Sequence, residues 1–174
     1  VRNGFSPNVG CDAEVRTYDK DPNKSTHTLA DTVNNSDFVF ISVPTPSNTD
    51  GTMNPDILMS CMDDIDFICE NPDVIFLVRS TVVPGTTKKL ADEHPSLKIV
   101  FNPEFLTERS ANFDFINQSR FIIGGPDESV EAVEKLFRWR FGETVSIVKT
   151  DYQSAEMVKY MTCLLYTSPS PRDG

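Results

Sequence analysis

Short apolar runs rich in Val, Ile and Phe recur along the chain: EVRTY at 14–18, DFVFISV at 37–43, VIFLVRS at 74–80, KIVF at 98–101, RFIIGG at 120–125 and TVSIVKT at 144–150. Runs so short, and so rich in β-branched and aromatic residues, predict buried strands. The segments between several of them follow a helical period. Residues 54–70 place Ile57, Leu58, Cys61, Met62, Ile65 and Ile68 on one stripe, and 85–93, 128–140 and SAEMVKYMT at 154–162 also read as helices. Strand alternating with helix predicts an α/β fold with a mostly parallel, doubly wound sheet. No internal repeat is visible.

Two stretches break the alternation. Residues 44–56, PTPSNTDGTMNPD, are rich in turn formers and follow the 37–43 strand directly. In an open parallel sheet, loops at the carboxyl ends of strands are where ligands bind. Residues 163–174, CLLYTSPSPRDG, interrupt the helical pattern with Ser/Pro-rich sequence that reads as a tail. The letters CLLYTSPSPRD also match a reading-frame translation of a transposon-end sequencing adapter. The expectation is that 163–174 is adapter sequence joined after Thr162; a natural tail is the alternative.

Composition narrows the function classes. At 174 residues one domain with a sizeable core is the default. The 26 acidic and 16 basic residues give a formal charge of −10, with no Lys/Arg block, so nucleic acid is not an expected partner. No apolar run has the length of a membrane span and the start has no signal-peptide core, so no membrane partner and a cytoplasmic location are expected. Cys11, Cys61, Cys69 and Cys163 form no C-x-x-C pair and read as reduced structural thiols. His27 and His94 are isolated and read as surface or capping residues, and no metal site is expected.

Four segments hold candidate chemistry. Asp19 ends the first predicted strand, where a carboxylate can accept hydrogen bonds from both hydroxyls of an adenosine ribose; a surface turn is the other reading. Gly4 and Gly10 precede it, but no G-x-G-x-x-G is present. Ser80 and Thr81 stand at a strand end before Pro84-Gly85, where they either meet a ligand or cap a helix. In NPEFLTERSANFDF, residues 102–115, a helix starting at Pro103 would put Glu104 and Glu108 on one face near its positive end. Such carboxylates serve the helix dipole, or orient and deprotonate water. Lys159 is in phase with Ala155, Glu156 and Thr162 on the last helix and is either solvated or catalytic.

Together these segments resemble the UDP-glucose/GDP-mannose dehydrogenase family over residues 1–162. VFISVPTPSNTDGTMNPD is similar to its V-P-T-P segment, RSTVVPGTT to its S-T-V-x-x-G-T segment, NPEFLTERSANFDF to its N-P-E-F-L-x-E-x-x-A segment and SAEMVKY to its S-A-E-x-x-K helix. The resemblance implies an incomplete Rossmann-type NAD-binding domain over 1–150, lacking the first strand and glycine-rich turn, and the start of a central helix over 151–162. It also implies an NAD-dependent enzyme oxidising the C6 alcohol of a nucleotide sugar to a carboxylate, through a thiohemiacetal and a thioester on a cysteine. UDP-glucose is the expected substrate. GDP-mannose or a UDP-N-acetylhexosamine is the alternative, as is a non-catalytic nucleotide-binding module.

By the same resemblance, Asp19 would hold the adenosine ribose with Lys24 beside the cofactor, and Thr45 and Thr81 would line its site. Glu104, Phe105, Leu106 and Thr107 would face the sugar nucleotide. Glu108 would reach the cofactor side and position or deprotonate the hydrolytic water. Lys159 would bind substrate and stabilise negative charge on its oxygen, completing a catalytic set with Glu108 and Thr81. The family's cysteine lies in a glycine-rich segment downstream of this sequence, so Cys163 is not the nucleophile and the chain alone is expected to be inactive. The parent would be a homodimer. Thr107 stands where many members have arginine. Without its first strand the sheet would be exposed near its centre, and poor solubility would follow.

Overall fold

The computed structural model describes residue 5, residues 11–105 and residues 120–167, with side chains described as far as Thr162. Five strands form one sheet in the order β1 (Phe38–Ile41), β2 (Ile75–Val78), β3 (Lys98–Phe101), β4 (Arg120–Gly124) and β5 (Ser146–Thr150). The β1–β2, β2–β3 and β4–β5 ladders are parallel; β3 and β4 meet antiparallel through Phe101 and Gly124. The helices are α1 (Leu29–Asn34), α2 (Asp56–Ile68), α3 (Thr86–Glu93), α4 (Asp127–Phe141) and α5 (Tyr152–Thr167).

Period-two alternation sorts the strand side chains between two cores. Phe76, Val78, Ile99, Phe101 and Ile122 pack on one face with Leu58, Met62 and Ile65 of α2, Leu90 of α3 and Ala155 of α5. Ile75, Leu77, Val100, Phe121 and Ile123 pack on the other with Val130, Val133 and Phe137 of α4. Phe121 stacks on Phe137 with ring centroids 4.4 Å apart. Helices on both faces of a mostly parallel sheet are the doubly wound arrangement the alternation predicts.

Four expectations need correction. Residues 14–18 form no strand among the described residues: 11–19 are irregular, because a cleft separates them from the unpaired outer edge of β1. Residues 102–105 are also irregular, so no helix starts at Pro103, and 106–119 lie outside the described residues. The last helix continues through Thr167 instead of ending at Thr162, since Cys163–Tyr166 has no helix breaker. His94 caps the end of α3 as expected but is buried rather than on the surface, its Nδ1 2.9 Å from Asp66 Oδ2. Helix α1 had no clear signal in the sequence; Thr28 caps it by accepting from Asp31 N.

Cys11, Cys61 and Cys69 are free thiols, and burial raises the pKa of Cys61 and of Cys69. No group of three metal-ligating side chains and no helix long and apolar enough to cross a membrane occurs among the described residues.

Candidate nucleotide site at the carboxyl ends of the strands

The carboxyl ends of β1, β2 and β3 come together at one edge of the molecule, and polar side chains fasten them to one another. Ser80, just beyond β2, donates to Val43 O at 2.7 Å and accepts from Val43 N at 3.1 Å. Thr45 Oγ1 donates to Thr81 O at 2.8 Å, and both threonines line a small pocket with Pro55 and Thr86. Thr45 and Thr81, expected to share one site, are therefore adjacent.

Beyond β2 the chain turns at Gly85, whose φ of 99° is the left-handed conformation that glycine adopts without strain. No side chain of that turn caps α3. The fully buried carboxylate of Glu156, on α5, does so instead: it accepts from Gly85 N at 2.6 Å and Thr87 N at 2.7 Å. A carboxylate at a helix N-terminus meets both unpaired N–H groups and the positive end of the dipole. It joins α5 to the loop that bears Thr81.

One helical turn further along α5, Lys159 donates to the backbone oxygen of Glu104 and stands 5.1 Å from the centroid of the Phe105 ring. The Glu104 carboxylate turns the other way, its Oε2 3.2 Å from Nε of Arg79. Arg79 is buried at the end of β2, donates to Asn102 Oδ1 and lies 5.8 Å from the Phe40 ring centroid. Burial pulls its pKa below the ordinary arginine value, with Glu104 acting in the opposite sense; arginine stays cationic in proteins. Asn102, also buried, donates Nδ2 to Ile122 O at 2.8 Å. Lys159, Glu104 and Phe105 are thus brought together as expected; Leu106, Thr107 and Glu108 lie outside the described residues.

Asp19 and Lys24 occupy a separate turn. Ser25 closes it by accepting from Asp19 N at 2.8 Å, and Lys24 Nζ stands 3.9 Å from Asp21. Asp19 Oδ1 accepts from Asp21 N at 2.8 Å; Oδ2 has no hydrogen-bond partner among the described residues. Asp19 is exposed and lines a cleft of about 900 Å³ together with Ser42, Val43 and Pro44 at the carboxyl end of β1. An exposed carboxylate with a free oxygen beside that strand end fits a ribose diol. A glycine-rich turn for the pyrophosphate is not present among the described residues, so the fit to NAD is partial.

Arg79, Asn102 and Glu156 were not singled out from the sequence. A basic residue closing the apolar run VIFLVR was the one available sign for Arg79.

A doubly wound sheet with polar residues gathered at the carboxyl ends of its strands defines a Rossmann-type dinucleotide-binding domain. The chain belongs to the UDP-glucose/GDP-mannose dehydrogenase family, whose NAD binding domain its residues 11–140 match. It is 36% identical over 134 residues to UDP-glucose 6-dehydrogenase YwqF of Bacillus subtilis, covering 72% of this chain and 29% of that protein. GDP-mannose dehydrogenase of Pseudomonas aeruginosa, solved as a ternary complex, is similar with a TM-score of 0.68 and 28% identity, over 79% of this chain and 34% of that one. UDP-D-ManNAc dehydrogenase of Pyrococcus horikoshii is similar with a TM-score of 0.70 and 25% identity, over 82% and 35%. The chain thus spans about a third of the length of these relatives.

Proposed function

We propose that the chain is the NAD-binding part of a dehydrogenase that oxidises the C6 alcohol of a nucleotide sugar, UDP-glucose in the first place, to a carboxylate. The observations that support this best are the convergence of Lys159 of α5, the backbone of Glu104 and the Phe105 ring, and the Thr45–Thr81 contact beyond β1 and β2. A cation held there by a backbone oxygen and an aromatic face stabilises negative charge developing on a substrate oxygen.

NAD, when bound, supplies the hydride acceptor. Asp19 accepts from the adenosine ribose through its free oxygen, Lys24 lies beside the cofactor, and Thr45 and Thr81 line its site. Glu104 and Phe105 face the sugar nucleotide, Glu104 through its backbone since its carboxylate serves Arg79, and the family resemblance implies the same role for Leu106 and Thr107. The resemblance implies that Glu108 orients or deprotonates the water that completes the oxidation and belongs to the cofactor side. We read the parent protein as a homodimer located in the cytoplasm, as the family resemblance implies.

Saturation-transfer NMR of the purified chain with UDP-glucose, GDP-mannose and UDP-N-acetylmannosamine tests the substrate. Transfer to UDP-glucose that Lys159→Ala removes is expected. Transfer confined to another sugar nucleotide makes that one the substrate, and transfer unaffected by Lys159→Ala contradicts the site. The 174-residue chain is expected to form no NADH from UDP-glucose; measurable NADH overturns that expectation.

A further inference from the structure

Residues 102–105 follow β3 as irregular chain, and Glu104 and Phe105 make no backbone–backbone hydrogen bond among the described residues. Two cations hold the segment instead. Lys159 of α5 donates to Glu104 O and stands 5.1 Å from the Phe105 ring centroid; Arg79, just beyond β2, takes the Glu104 carboxylate, with Nε 3.2 Å from Oε2. An ammonium is attracted more strongly to a full negative charge than to a carbonyl dipole. Lys159 nevertheless meets the carbonyl of Glu104 and not its carboxylate. Packing does not account for this, because the Glu104 side chain is 38% exposed and has room to turn. The Arg79 side chain is fully buried and anchored through Asn102, whose Nδ2 donates to Ile122 O of β4.

We infer that Arg79 is a positioning residue that draws the Glu104 carboxylate away from Lys159, leaving the ammonium free to meet negative charge on a substrate oxygen. Lys159 has three donors, gives one to Glu104 O and makes no ion pair among the described residues. A Lys159–Glu104 ion pair would neutralise the cation and place a fixed anion beside the charge that the substrate develops. If Glu104 were only the counterion of a buried arginine, removing Arg79 would not act on Lys159 in a way that a neutral residue 104 reverses. The role assumes the proposed action of Lys159 on a sugar nucleotide, so one readout is kept free of substrate.

That readout is the proton NMR shift of the Lys159 Hε protons, which the Phe105 ring moves upfield while the ammonium stands over it. Upfield-shifted Hε protons are expected in the unaltered chain. Arg79→Met should return them to the ordinary lysine position and weaken UDP-glucose binding, followed by chemical-shift titration, about fivefold. The double variant Arg79→Met, Glu104→Gln should restore both, and Arg79→Lys, which keeps a buried cation, should lie between. A loss in Arg79→Met that the second substitution does not restore would make Arg79 a structural counterion and overturn the inference. Ordinary Lys159 shifts in the unaltered chain would overturn it with no variant needed. The Hε shifts require no ligand, so they support or overturn the role of Arg79 even where UDP-glucose does not bind and the proposed function fails.

Discussion

The two flanks of β2 differ in how completely they are bonded. Towards β3 and α5, the buried and half-buried polar groups mostly meet one another, the buried Thr87 hydroxyl excepted: Arg79 with Glu104 and Asn102, Asn102 with Ile122 O, Glu156 with two backbone amides, Tyr152 with Ile99 O at 2.6 Å. Towards β1, the sheet stops at an edge beside a large cleft, and Ser80 and Thr45 are the polar clasps that hold the loops after β1 and β2 together. Burial makes the first side intolerant of polar loss, since an orphaned buried donor costs far more than the bond it made contributed. The second side is held mostly by the apolar contacts of one strand and is the more open to change.

The largest expected effect is at Glu156. Glu156→Leu leaves the buried amides of Gly85 and Thr87 without an acceptor and should cost about 3 kcal/mol, with Glu156→Gln recovering part of it. Denaturant melts of the two variants measure this; a loss below about 1 kcal/mol for Leu would mean that water replaces the carboxylate.

Gly124→Ala probes the same side through packing. An added Cβ would stand 2.6 Å from Asp151 O and 2.7 Å from the Cβ of Ala155, so α5 must move away from β4. The expected cost is about 2 kcal/mol, and an unchanged Tm would show that α5 docks loosely.

On the open side, Thr45→Val removes a single half-exposed hydrogen bond to Thr81 O, worth about 1 kcal/mol. A loss as large as that of Glu156→Leu would erase the contrast between the two flanks.

The smallest effect is a dependence on pH. Ser96 Oγ, with His94, holds Asp66 below the usual carboxylate value of 3.8. A depressed folded-state pKa adds stability that is fully present above that value and is lost as pH falls through the lower, folded one. Tm should therefore drop less between pH 5 and 3 (about the range in which carboxylates titrate) in Asp66→Asn than in the unaltered chain. Parallel acid limbs would remove Asp66 from the account.

Much of the fold was legible because buried parallel strands and amphipathic helices leave strong periodic signals. KIVF at 98–101 falls on β3 residue for residue, and the stripe from Ile57 to Ile68 lies on α2. EVRTY has the composition of a strand, but a strand exists only where a partner accepts its hydrogen bonds, and local sequence does not show the partner. The site was legible through motifs rather than chemistry. Lys159 meets the backbone of Glu104 across 55 residues of sequence, a contact no local pattern contains. Glu104 was read with Glu108, whereas its ion partner is Arg79, 25 residues away just beyond β2.

The most direct test of the proposed function is an amide chemical-shift titration of the isotopically labelled chain with NAD. Weak, saturable shifts gathered at Asp19, Lys24, Thr45 and Thr81, and diminished by Asp19→Ala, are the predicted result. Shifts that avoid these residues, or that persist unchanged in Asp19→Ala, would contradict the placement of the cofactor at the carboxyl ends of the strands.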